Sequence, residues 1–188
     1  MGKFTLIFAA VILVAGLSGC SEEQSDENVM PSELTSDATG YYCNMTVLDH
    51  EGPKGQIKLT GQSEAIWFSS ARDTIAFTRL AEEAKNIAAI FVTDMSAEKA
   101  WSNDGPRKWI DGKSAFYVSG SSRTGGMGAP EQVPFASKAA AGKFMQKYGG
   151  HVATFSEIPD SAVLGPVEMD GASKMTMQPT HKQKPIGE

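Results

Sequence analysis

The sequence predicts an α+β domain made of two ββαβ units, and three observations predict it. An alternating strand pattern, a second short strand and a capped helical pattern follow one another between residues 55 and 84. The same order recurs after residue 114. Phe68 to Phe77 and Phe135 to Phe144 each span nine positions across a strand-to-helix junction, as an internal duplication would leave them. Chance is the competing reading of that spacing.

The elements follow in order. Gly55-Gln56-Ile57-Lys58-Leu59 alternates apolar and polar residues, as a half-buried strand does. Ala65-Ile66-Trp67-Phe68 follows a turn at Gly61 and pairs with it. Ser70, with Asp73 three positions on, starts a helix as a capping box. Phe77, Leu80, Ala81 and Ala84 share one helical face. The continuous apolar run at 87–92 is a buried strand. In the second half, residues 114–118 and 132–135 are strands. Ser137 caps a helix whose face is Ala141, Phe144, Met145 and Tyr148, Gly149-Gly150 stops it, and residues 151–155 form the last strand.

Four segments organise the 188 residues: an export signal over 1–19, a lipidated acidic tether over 20–40, a metal-binding domain over 41–158 and a flexible Met- and Pro-containing tail over 159–188. Lys3 precedes an apolar run at 4–17, too short for a span of ~20 residues and right for a signal h-region. Leu17-Ser18-Gly19-Cys20 resembles the bacterial lipobox, which makes Cys20 the lipidation site. Ser21 after it favours the outer membrane, facing the periplasm, over retention in the inner one. Residues 21–40 carry six acidic side chains and no Lys or Arg, the composition of a solvated tether. Its twenty residues reach roughly 25 Å as a coil.

Composition excludes several functions. The formal net charge of −5 argues against nucleic-acid binding, which needs a basic surface. Two cysteines cannot build a disulfide scaffold or a four-cysteine zinc site. No G-x-S-x-G, Walker loop or H-E-x-x-H is present, so no enzyme is expected.

The informative constellation is sulfur. With lipid on Cys20, Cys43 is the one free thiol, a liability in an oxidising compartment unless something uses it. Met45 lies two positions on, so the two sulfurs point the same way on an extended segment. Met127 sits among Gly125, Gly126 and Gly128, where no helix or strand face claims it and the chain can approach another segment closely. Soft sulfur donors select Cu(I) over hard cations. Met95 and Met145, inside apolar patterns, are core filler. His50 offers copper a nitrogen or helps hold a second, harder metal ion, with a solvated polar turn as the competing reading. Met169, Met175, Met177 and His181 make a sparse string in the tail.

These residues resemble the NosL family, the copper-binding lipoproteins that accompany nitrous-oxide reductase. The carriers are Cys43-Asn44-Met45, Gly52-Pro53-Lys54-Gly55-Gln56, Val92-Thr93-Asp94-Met95, Trp109-Ile110-Asp111, Tyr117-Val118-Ser119-Gly120-Ser121, Gly126-Met127-Gly128 and Pro134-Phe135. The family commonly reads Cys-Gly-Met where this chain has Asn44, and Tyr41-Tyr42 stand where some members carry an earlier cysteine. The resemblance implies paired ββαβ units and a Cu(I) metallochaperone. It implies Cys43, Met45 and Met127 as metal ligands. The implied partners are nitrous-oxide reductase and its copper-maturation machinery, including the ABC-type membrane complex NosDFY; a homodimer stays open. Two other classes compete: a thiol enzyme with Cys43 as nucleophile, which needs a base within reach and a depressed thiol pKa, and a non-catalytic binding lipoprotein with a buried thiol.

Overall fold

Alternation at 55–59 buries Ile57 and Leu59 on one face, and this strand becomes the centre of the first sheet. In a computed structural model, which describes residues 29–97, 99–102 and 107–167, β1 (Gly55–Leu59) pairs antiparallel with both β2 (Ala65–Phe68) and β3 (Ile87–Thr93). The helix α1 (Ala71–Arg79) connects β2 to β3. A short strand that the periodicity did not reveal, β4 (Trp109–Asp111), extends this sheet to the order β2-β1-β3-β4. The second unit repeats the plan. β5 (Phe116–Ser119) lies between β6 (Val133–Phe135) and β7 (His151–Thr154), with α2 (Lys138–Tyr148) connecting the last two. In both units the first strand is central and all pairs are antiparallel.

The equal phenylalanine spacing has a physical counterpart. Phe68 and Phe77 meet with ring centroids 5.5 Å apart, and Phe135 and Phe144 meet at 5.2 Å. Two residues after the first Phe of each pair, Ser70 and Ser137 cap their helices, accepting the N–H of Asp73 at 2.9 Å and of Ala140 at 3.2 Å. Each cap satisfies an orphan helix donor, worth ~1 kcal/mol.

Each unit has its own core. Ile57, Leu59, Phe68, Phe77 and Ile90 fill the first, and Met95, Val118, Val133, Phe135 and Ala141 fill the second. A third cluster joins the two, taking Ile75 from α1, Val92 from β3, Tyr117 from β5 and Ala153 from β7. Met95 is buried and Met145 packs against the second core, as their apolar patterns require.

Three boundaries differ from the sequence reading. The tether does not extend to residue 40. Ser32 gives its N–H to the buried Gln56 side chain at 2.7 Å and receives the amide of Gln56 at 3.0 Å, Ala38 is buried, and Gly40 bridges to Trp67. The polar composition of 32–40 hid an attachment made by backbone groups. The domain also continues past residue 158. Pro159 precedes α3 (Asp160–Leu164), whose Val163 enters the joining core while Arg72 Nη2 donates to the Gly165 carbonyl at 2.7 Å. One helical turn is too short to show periodicity. Finally, α1 stops at Arg79, so Leu80, Ala81 and Ala84 are not helical. Leu80 is extended, the Lys85 ammonium donates to its carbonyl, and Ala84 still packs on the first core. The signal, Cys20 and the tail methionines with His181 lie outside the described residues.

Candidate metal centre

The Cys43-Asn44-Met45 segment is a tight turn, not the extended stretch its spacing suggested. Thr39 and Thr46 bridge antiparallel, the Gly40 N–H donates to the Met45 carbonyl at 2.9 Å, and the Asn44 N–H donates to the Gly40 carbonyl at 2.8 Å. The turn closes through a left-handed residue just before Met45, where Asn44 has φ 53°. Glycine adopts that conformation freely, and Asn is among the few other residues that tolerate it. This accounts for Asn where the resembling family commonly has Gly.

The turn presents Cys43 half-buried. Its Sγ lies 4.0 Å from the Gly40 and Met45 carbonyl oxygens. A Cβ on residue 40 would sit 2.6 Å from that sulfur, so Gly40 provides the thiol's space. Met45 is 42% exposed, its thioether available to solvent beside the thiol's turn.

Met127 arrives from the other unit. Its loop is closed by a bridge between Thr124 and Pro130 and by two bonds of 2.8 Å, Gly125 N–H to Ala129 and Gly128 N–H to Gly125. Gly126 presses on the 50–51 backbone. Its N–H donates to the Glu51 carbonyl at 3.2 Å, and a Cβ there would come within 2.8 Å of His50 Cβ and the Glu51 backbone. Met127 is itself 42% exposed.

The two arms meet at Ser69, a buried residue at the end of β2 that sequence reasoning did not single out. Cys43 Sγ and Ser69 Oγ are 3.6 Å apart, and Ser69 Oγ donates to Met127 Sδ at 3.6 Å. One hydroxyl therefore touches a thiol from the first unit and a thioether from the second. The helix pattern pointed to Ser70 as the cap, and nothing in that pattern distinguishes its neighbour. His50 borders the same seam through Gly126. Among the described residues, no group of three or more His, Cys, Asp and Glu side chains is placed to hold a metal ion. The donors brought together are sulfur, the class that suits a soft monovalent ion.

The surroundings are polar and buried. Lys54 is fully buried with Nζ donating to the Gly52 carbonyl at 2.8 Å, and burial pulls its ammonium down to about 8 against the opposing pull of Glu131. Burial likewise pushes the Glu131 carboxyl up to about 8, against the N–H donors of Arg72 and Gln132. At the rim, Tyr41 and Tyr42 donate to the two oxygens of Glu83 at 3.1 and 2.9 Å, which fixes their rings beside the turn.

The chain is similar to known proteins. The family model NosL matches residues 31–163, nearly the full described fold. A copper-binding lipoprotein NosL from Achromobacter cycloclastes is 44% identical over 88% of this chain and 84% of its own. The copper-binding lipoprotein NosL of Stutzerimonas stutzeri is 32% identical over 87% and 83%. The crystal structure of the copper chaperone NosL from Shewanella denitrificans superposes with a TM-score of 0.61 at 28% identity, covering 69% of this chain and 95% of that one. With a family model matched over most of the chain and a relative 44% identical along nearly all of it, the chain belongs to the NosL family.

Proposed function

We propose that this protein is a lipid-anchored Cu(I) carrier that delivers copper for maturation of nitrous-oxide reductase, through a membrane complex of the NosDFY type. The observation that carries the copper reading is Ser69 Oγ, 3.6 Å from both Cys43 Sγ and Met127 Sδ. Cys43 supplies the thiolate, and Met127 and Met45 supply thioethers. A low-coordinate ion held by exposed thioethers leaves room for an incoming donor, so the ion passes by ligand exchange without a redox step. The relatives' names support copper and lipid attachment, and Cys20 is the residue that carries the lipid. Ser21 after it points to the periplasmic side of the outer membrane.

Titration of Cu(I) against a competing chelator tests the site. Cys43→Ala abolishes tight binding. Met127→Ala weakens it by about 10- to 100-fold, at least the loss that removing a ligand's outer-shell partner causes. Ser69→Ala stays within about threefold of the parent, because a hydroxyl is a hard donor with little affinity for Cu(I). Parent-like affinity in both Cys43→Ala and Met127→Ala would show that copper sits elsewhere.

A further inference from the structure

One buried carboxyl ties the Met127 loop to the start of α1, just past Ser69. Glu131 follows the Met127 loop directly and is 2% exposed. Its Oε1 accepts the N–H of Arg72 at 2.8 Å and of Gln132 at 2.9 Å. Arg72 stands in the first turn of α1, three residues beyond Ser69. The other carboxyl oxygen of Glu131, Oε2, lies against Gly125, two residues before Met127, where a Cβ would sit 2.8 Å away. The buried Lys54 acts on it electrostatically from the segment before β1. A carboxyl taken wholly out of water is costly to keep unless its bonds are satisfied, and the Arg72 bond ties the start of α1 in the first unit to the end of the Met127 loop in the second.

We propose that Glu131 is the positioning residue that sets the Met127 thioether against the Cys43 thiol. The proposal rests on the copper reading above. It assigns Glu131 no contact with the ion: the carboxyl holds the start of α1, and with it Ser69, at a fixed distance from the loop that carries Met127.

The test is a double-mutant cycle read by Cu(I) titration and by X-ray absorption at the copper edge, which counts sulfur neighbours. Glu131→Gln keeps an oxygen that accepts both N–H groups and stays within about threefold of the parent. Glu131→Ala weakens binding as much as Met127→Ala, about 10- to 100-fold, and loses one sulfur neighbour. The double variant Glu131→Ala/Met127→Ala binds no more weakly than Met127→Ala alone. Gly125→Ala asks the same question without emptying the core, because its new Cβ collides with Oε2 and lifts the loop; the same loss and the same lack of additivity are expected. Parent-like affinity and sulfur count in Glu131→Ala or Gly125→Ala would overturn the proposal. So would losses that add in full to that of Met127→Ala, or failure of Glu131→Ala to fold combined with parent-like Gly125→Ala. If Cys43→Ala and Met127→Ala both bind as the parent does, the copper reading fails and this proposal with it; if Met127→Ala alone equals the parent, this proposal falls while the thiol site stands.

Discussion

At the scale of single residues, backbone conformation decides which side chains stand around the thiol. Asn44 holds φ 53° where the turn that presents Cys43 closes. Replacing it with Gly removes the left-handed cost and is expected to leave thermal stability and Cu(I) affinity unchanged or slightly improved. Asn44→Val places a β-branched residue there and costs ~1–2 kcal/mol in denaturant unfolding. Cys43, with Met45 two positions on, could be singled out from the sequence because the chain has only two cysteines, and Met127 because a Met among glycines belongs to no packing face. Ser69 and Glu131 could not. A serine before a helix cap and a glutamate between turn and strand read as ordinary polar residues until the tertiary fold turns them inward.

At the scale of elements, the two ββαβ units were legible because their signals are local. Alternation marks β1, serine caps mark both helices, and Gly149 marks the end of α2. The Phe68–Phe77 and Phe135–Phe144 contacts then give each unit the same strand-to-helix lock. Phe68→Ala and Phe135→Ala are each expected to destabilise by ~3–5 kcal/mol, the range for a buried phenylalanine, and chemical denaturation checks both. Phe68 backs the aromatic rings of Tyr41 and Tyr42, with centroids 6.0 and 5.8 Å away. Its loss therefore also disturbs the Cys43 turn, whereas Phe135 lies in the other core. Elements invisible in the sequence are those without a period of their own: three-residue β4, one-turn α3, and the 32–40 stretch pinned by a buried glutamine.

At the scale of the whole molecule, charge is divided between the units. Residues 29–97 hold nine acidic and five basic side chains, and residues 107–167 hold four acidic and seven basic. The Cys43 turn thus belongs to the more acidic stretch and the Met127 loop to the more basic one. The buried Glu131 makes stability depend on pH. Its carboxyl is raised from an ordinary 4.5 to about 8, so the folded protein keeps a proton that the unfolded chain releases. That contribution is complete below about pH 4.5 and is lost as pH rises through about 8. Lys54, lowered from 10.5 to about 8, acts above that window, and Asp73 is the other charge facing the carboxyl. Unfolding free energy is therefore expected to fall by on the order of a few kcal/mol from pH 5 to pH 8 in the parent, and Glu131→Gln flattens the curve.

The thiol and the glycine-flanked thioether come from opposite repeats, each with a separate core behind it. Sliding one sheet past the other by a few ångströms would part the two sulfurs while every strand and helix stayed intact. Between the two leaves lies the largest of the three cores, nine buried residues that include Ile75, Val92, Tyr117 and Ala153, so such a shear could not part the sulfurs without disturbing that joint.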